Sequence, residues 1–410
     1  MAHTRREFIK RGVTFVGAGL MAPRLLLGEA SGVASARSSS SRIFVLVELS
    51  GGNDGLNTVV PYADSRYYSV RPRLAIPRTS VLPIDDRIGL HPSLAPLERL
   101  YREQRVAIVQ GVGYPSPDLS HFRSTEIWQT AVPDSIERTG WIGRYLDTVA
   151  EPGSGHLDAI SIGYELPATL STDTPVGVAA IESFDNYVVR GDEQHPEDDA
   201  NKRRALAGLY DDARGSGTAL DFVASTGLLA YSSSEAVLAA ATGYTPAVAY
   251  QPDPFSQNML KIAQLLDAGL GTDVYYTSFG SFDTHANQLA DHANLLRWLG
   301  DGLESFYRDM AAHGRADDVV VMTFSEFGRR VNQNQSSGTD HGTAGPMFVL
   351  GNAVRGGVYG DHPSLTQLDG NDDLIHAIDF RAVYATVLKG WLQADPEPIL
   401  GGRFEDIGIF

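Results

Sequence analysis

Three carboxylates follow three apolar runs, and each stands in a loop containing glycine. Asp54 lies in Ser50-Gly51-Gly52-Asn53-Asp54-Gly55, Asp283 in Gly280-Ser281-Phe282-Asp283-Thr284-His285, and Glu326 in Ser325-Glu326-Phe327-Gly328-Arg329. His285 comes two residues after Asp283, and Asp340-His341-Gly342 precedes the apolar stretch Met347 to Leu350. Carboxylates brought together repel unless a cation neutralises them. A mixed Asp/Glu/His set suits zinc, manganese or iron better than calcium alone. Asp54, Asp283, His285, Glu326 and His341 are therefore the candidate metal ligands. Singly, each has a plainer explanation: Asp54 a turn residue, Glu326 an acid at a helix start, Asp340-His341 a polar loop. Their joint position after buried strands argues for a metal or catalytic cluster.

Ser120-His121 is a second candidate, catalytic by its place, because Phe122 to Thr130 reads as a short helix. A serine there caps the helix, or acts as a nucleophile where free helix amides attract anions. A metal would lower its hydroxyl pKa. Arg123, Arg329 and Arg330 are candidates to clamp a phosphoryl or sulfuryl group, Arg329 foremost. His91 precedes a proline and is read as a helix cap. His292, seven residues after His285, would share its face on a continuous helix.

These residues need elements to hold them. Ile43 to Leu49, Val106 to Val109, Val274 to Ser278 and Val319 to Phe324 read as strands buried on both faces. Ala159 to Ile162, Val176 to Ile181 and Met347 to Leu350 read as further strands. Helices are expected at Pro92 to Glu103, Ala219 to Ala241, Phe255 to Leu270, Asn287 to His313 and Asp379 to Gln393. The alternation predicts an α/β fold: a mostly parallel sheet with helices on both faces. Ligands of such sheets gather at the carboxyl ends of the strands. If the Met347 strand runs antiparallel, His341 reaches that edge too. Residues from about 165 to 255 are read as a candidate helical cap insertion.

With the motifs Leu49 to Gly55, Ser120-His121-Phe122, Phe282 to His285, Ser325 to Arg329 and Asp340 to Ala344, the sequence resembles the bacterial DUF1501 family over nearly its whole length. That family resembles a distant branch of the alkaline phosphatase and sulfatase superfamily. The resemblance implies an alkaline phosphatase-like fold and one or two divalent ions, zinc or manganese first. It implies that Asp283, His285 and His341 hold one ion, and that Asp54, Glu326 and Ser120 hold the other. It departs from the superfamily pattern at Glu326-Phe327, where a histidine ligand is missing. There is neither cysteine nor Ser-x-Pro-x-Arg, which argues against a formylglycine sulfatase.

The N-terminus contains Thr4-Arg5-Arg6-Glu7-Phe8-Ile9-Lys10, then a mildly apolar stretch, then Ala34-Ser35-Ala36. This is the order of a twin-arginine signal peptide, residues 1–36, with a Ser-rich linker at 37–42 before the domain at 43–410. The apolar stretch, interrupted by Arg24, is short of the roughly 20 residues that span a bilayer. The expected location is periplasmic or secreted, with the twin-arginine translocase as partner during export. Net charge is −17 for the whole chain. Past residue 36 there are 28 basic against 48 acidic residues, so nothing electrostatic favours nucleic acid or anionic lipid. The absence of cysteine excludes disulfides, thiolate metal sites and cysteine nucleophiles. The expected function is a metal-dependent hydrolase of phosphate or related (sulfate, phosphonate) esters with a serine nucleophile, acting on a small-molecule or polymer-linked anionic ester. The alternative is a non-catalytic metal-binding or envelope-assembly protein. A metal-independent serine hydrolase is disfavoured, because no Gly-x-Ser-x-Gly elbow is present.

Overall fold

The computed structural model describes residues 42–150, 156–187 and 242–410, with isolated positions between 201 and 240. The expected leader and all of the linker except Arg42 lie outside the described residues, as does much of the candidate cap, including most of the expected Ala219 to Ala241 helix. Among the described residues, no helix is long and apolar enough to cross a membrane.

The chain forms two compact units. The larger comprises Arg42–Glu137, Pro246–Ala263 and Thr277–Phe410; the smaller includes Arg138–Thr245 and Gln264–Tyr276. In the larger unit, strands β1 (Ile43–Leu49), β5 (Val106–Gly113) and β9 (Val319–Phe324) are buried at every position. Side chains alternate between the two faces of a strand, so unbroken burial means that both faces are covered. The strands run in the order β11 (Gly357–Tyr359), β5, β10 (Gly345–Gly351), β9, β1, followed by β8 (Val274–Phe279), and β12 (Ile378–Asp379) also pairs with β5. β1 and β9 are parallel, with Ile43 opposite Val319 and Glu48 opposite Phe324. β11 and β12 are parallel to β5. β10 runs antiparallel to both β5 and β9. The α/β class and mostly parallel sheet expected from the alternation of elements are therefore present.

The antiparallel β10 matters for the site. Its start lies at the same edge as the end of β9, so the loop from Ser325 to Ala344 leaves and returns at one edge. The short strands β2 (Val59–Val60), β3 (Leu82–Pro83) and β4 (Gly89–Leu90) form a separate antiparallel sheet. In the smaller unit, β6 (Ala159–Ile162) and β7 (Val178–Ala180) pair in parallel.

The helices are α1 (Gly55–Thr58), α2 (Ser65–Val70), α3 (Ala95–Arg102), α4 (His121–Thr130), α5 (Trp141–Val149), α6 (Pro254–Asp267), α7 (Gln288–Ala312), α8 (Phe380–Gly390) and α9 (Pro396–Leu400). The expected helix at 92–103 is divided. A 3-10 turn at Pro92–Leu94 precedes α3, and Pro96, near the start of α3, has no amide hydrogen to extend a helix backwards. His91 caps that turn by accepting from Ser93 N at 3.0 Å, as its place before a proline implied. α4 is fixed by its apolar side: Trp128 stacks on Phe324 (centroids 5.9 Å apart) and on Phe380 (4.5 Å), which ties its N-terminal residue His121 to the ends of β9 and α8.

Asp373 is fully buried, and neither carboxylate oxygen has a hydrogen-bond partner; Arg330 Nε is 3.8 Å away. Burial pushes this carboxyl up to about 6 from 3.8. The folded chain thus holds a proton that the unfolded chain releases, so this contribution to stability is full below about pH 4 and fades as pH rises through about 6. Asp373→Asn is expected to remove that decline. Urea unfolding from pH 4 to 8 checks it, and an unchanged slope would contradict it.

Candidate functional site

The site is built on the loops that follow β1, β8 and β9 and on the start of α4. After β1 the chain turns at Gly51, whose φ is +116° and whose Cβ, if present, would lie 2.5 Å from Asp283 N. Only glycine allows both the conformation and the approach. Ser325 Oγ donates to Leu49 O at 2.7 Å and accepts from Asn53 N at 2.8 Å, which fastens the β1 loop to the β9 loop.

Among the described residues, His121, Asp283 and His341 are the one group of three whose candidate ligand atoms all lie within 4.8 Å of one another. Asp283 is at the centre. Its Oδ1 is 3.2 Å from His341 Nε2 and 3.0 Å from His285 Nε2, and its Oδ2 is 3.5 Å from His121 Nε2. The side chains are open to solvent: Asp283 and His285 are each 44 % exposed, and His121 is 35 % exposed.

The far nitrogen of each imidazole determines how the near one behaves. His121 Nδ1 donates to Glu326 Oε1 at 2.8 Å, His285 Nδ1 to Asp340 Oδ1 at 3.1 Å, and His341 Nδ1 to the carbonyl of Leu119 at 2.8 Å. A carboxylate or carbonyl oxygen only accepts, so each Nδ1 carries the hydrogen. In a neutral imidazole that leaves a lone pair on Nε2. All three Nε2 atoms are turned toward Asp283, and those of His285 and His341 are 3.1 Å apart. An Nε2 without its hydrogen is a nitrogen that can ligate a metal. Histidines that bind metals are oriented by the same type of outer hydrogen bond.

This geometry redistributes the roles expected from the sequence. Asp283, His285 and His341 come together as the strand ends implied, and His121, expected beside a nucleophile, joins them. Glu326 stands one bond farther out. It is 1 % exposed, and its Oε1 also accepts from Gly51 N at 2.8 Å. Glu326→Gln is expected to keep the fold but lower metal affinity about tenfold, the low end for an outer partner of a ligand; titration against a competing chelator checks it, and unchanged affinity would count against that role.

Asp54 is set behind the cluster rather than in it. It is fully buried and paired with Arg71 Nη1 at 2.6 Å, and it also accepts from Gln288 Nε2. Burial pushes its carboxyl up, but the charges of Arg71 and His292 and the hydrogen bonds from Arg71 and Gln288 hold it below the usual range.

Arg329, expected as a substrate clamp, is 1 % exposed and already engaged. It donates to the carbonyls of Gly51, Gly52 (2.7 Å) and Thr339 (2.9 Å) and to Asp283 Oδ1 (2.6 Å). It therefore positions Asp283 and the glycine loop, and each of its three side-chain nitrogens already donates to a protein oxygen. Burial raises the Asp283 carboxyl, but Arg329, His341 and His285 outweigh it and bring it down to about 2. Arg123 donates to the carbonyls of Pro133 and Ser135.

Ser120 precedes α4 but its side chain makes no capping hydrogen bond, and it is exposed. The first helical bond runs from Ser124 N to Ser120 O, so the amides of the first turn remain without intrahelical partners. His292 does not share a helix face with His285, because α7 starts only at Gln288; it is buried, with Nε2 donating to Asn53 Oδ1 at 2.9 Å. Arg71 was not among the expected site residues, and no spacing in the sequence signals it.

Solved structures similar to this one include an alkaline phosphatase superfamily protein from Vibrio parahaemolyticus (10 % identity, 98 % of this chain and 78 % of that one, TM-score 0.42). They also include the lipoteichoic acid synthase LtaP from Listeria monocytogenes (10 %, 85 % and 73 %, 0.37). A third is the phosphonate monoester hydrolase of Agrobacterium radiobacter (10 %, 88 % and 78 %, 0.39). No curated protein matches the chain. The model of the family described as protein of unknown function (DUF1501) matches residues 41–392, and the chain belongs to that family.

Proposed function

We propose that this protein is an exported, metal-dependent hydrolase of phosphate or related anionic esters. The observation that carries the reading is the convergence of three Nε2 atoms on one exposed carboxylate, each imidazole hydrogen-bonded from behind through Nδ1. Nitrogen and carboxylate ligands in this number suit zinc or manganese, with room left for a substrate oxygen. A divalent ion bound there would supply Lewis acidity and positive charge for an ester oxygen. His121, His341 and Asp283 would hold it, with His285 beside them.

The chain's own groups supply the remainder. Ser120 Oγ, exposed and one residue from His121, is the nucleophile in this reading. The first-turn amides of α4, which lack intrahelical partners, would stabilise the developing negative charge and orient the transferred group. Arg329 keeps Asp283 ionised and aimed. Export through the twin-arginine translocase is part of the proposal, supported by Arg5-Arg6 and the small residues at Ala34-Ser35-Ala36.

The test is an ester panel (aryl phosphate, diester, phosphonate and sulfate) on mature protein stripped with chelator and reloaded with zinc or manganese. Turnover that disappears with chelation, returns with metal and is lost in Ser120→Ala is expected. Intact turnover in Ser120→Ala would overturn the covalent route. Bound metal with no turnover on any ester would favour the non-catalytic alternative. Lysine at both Arg5 and Arg6 is expected to retain the precursor in the cytoplasm; unaffected export would contradict that part.

A further inference from the structure

Three carboxylates meet this sheet edge, and the protein neutralises them differently. Asp283 is the exposed one. Glu326 is buried and accepts from Gly51 N and His121 Nδ1. Asp54 is buried against Arg71, whose side chain is itself fully enclosed. Arg71 is fixed on every side: Nε donates to Val331 O at 2.9 Å, Nη2 to Arg330 O at 2.7 Å, and Nη1 to both Asp54 Oδ2 and Asn57 Oδ1 (2.8 Å). It cannot swing away to admit a second cation without leaving several buried acceptors unpaired.

The surroundings of Asp54 also lack a ligand shell. His292 donates Nε2 to Asn53, and His91 accepts through Nδ1 from Ser93 N. Asp54 Oδ1 is buried without a hydrogen-bond partner, but one oxygen is one ligand atom. Among the described residues, no group of three His, Asp or Glu side chains other than His121, Asp283 and His341 brings its ligand atoms within 4.8 Å of one another. A divalent ion placed at Asp54 would also face the Arg71 guanidinium across the same carboxylate, a like-charge contact in a buried setting.

We infer that the centre holds one divalent ion, and that Arg71 is the built-in cation at Asp54 where the sequence resemblance implied a second ion. This rests on the metal reading of His121, Asp283 and His341. A hydrogen-bond chain joins the two positions: Gln288 donates to Asp54, Thr339 Oγ1 to Gln288 Oε1 at 2.7 Å, and Arg329 to Thr339 O and Asp283.

Native mass spectrometry on mature protein equilibrated with excess zinc, or with excess manganese, and then desalted tests this. One ion per chain is expected in the wild type, still one in folded Asp54→Asn, and none in Asp283→Ala. Should Asp54→Asn not fold, the charge-free pair Asp54→Leu with Arg71→Met is expected to bind one. Two ions in the wild type, or loss of the single ion in a folded Asp54 variant, would overturn the inference while leaving a metal centre in place. A folded wild type binding none would overturn the metal reading itself.

Discussion

On the proposed reading as a metal-dependent hydrolase, Asp283→Ala is expected to abolish metal binding and to reduce kcat/KM by at least about 10²- to 10³-fold, the scale seen when one preorganised electrostatic group is removed from an active site. Asp283 is the one group that touches all the others: His341 and His285 at Oδ1, His121 at Oδ2, and Arg329 at 2.6 Å. Without it, the Arg329 guanidinium loses its carboxylate partner, and an ion held there would lose the carboxylate of the His121–Asp283–His341 group. The fold is expected to be weakened but kept: the Asp283 side chain is 44 % exposed, while Arg329, fully buried, loses its carboxylate partner but keeps its carbonyl acceptors. The signature is therefore lost metal and turnover in protein that still folds. Retained metal, or collapse of the fold, would show that Asp283 has a different role.

Arg71→Met is expected to do the reverse. Both members of the Arg71–Asp54 pair are fully buried, and removing one partner leaves an uncompensated charge, worth about 3–5 kcal/mol. That is a large part of the roughly 5–15 kcal/mol that holds a typical domain together. The pH dependence gives it a sign. In the wild type the Asp54 carboxyl is held low, so its contribution is present above the unfolded value of 3.8 and is lost as pH falls through the lower, folded value. In Arg71→Met, burial acts without its counterweight and the carboxyl moves up, so that ionised Asp54 destabilises the fold as pH rises. The gap between the two proteins is expected to be widest near neutrality and to shrink toward pH 4. Urea unfolding at several pH values reads it directly. Adding Asp54→Leu is expected to restore much of the loss, since the charge left alone is then gone. A gap independent of pH would show that Arg71 stabilises by packing alone.

The contrast between these residues explains what the sequence made legible. Runs such as Ile43 to Leu49 and Val319 to Phe324 announce strands buried on both faces, and chemistry at their ends follows from the geometry of parallel sheets. Asp283 and His285 were visible for that reason, as was His341, because its strand β10 returns antiparallel beside β9. His121 was visible as a residue at a helix start, but its Nε2 direction is decided by Glu326, 205 residues away. Which carboxylate faces solvent was not legible. Asp54 and Asp283 occupy alike positions after alike strands, and only packing determines that one meets Arg71 in the interior and the other meets the open edge. Arg71 follows α2 within an arginine-bearing stretch, where nothing in local spacing sets it apart from Arg66 or Arg73. Arg329 was misread for a related reason. A motif arginine beside glycines resembles an anion clamp, but here the glycine carbonyls themselves wrap the guanidinium.

Diffraction from crystals of the zinc-loaded protein, recorded on both sides of the zinc absorption edge, tests the central claim most directly. A single anomalous peak bounded by His121 Nε2, His341 Nε2 and the Asp283 carboxylate is predicted. Folded, zinc-equilibrated protein with no peak there would contradict the account.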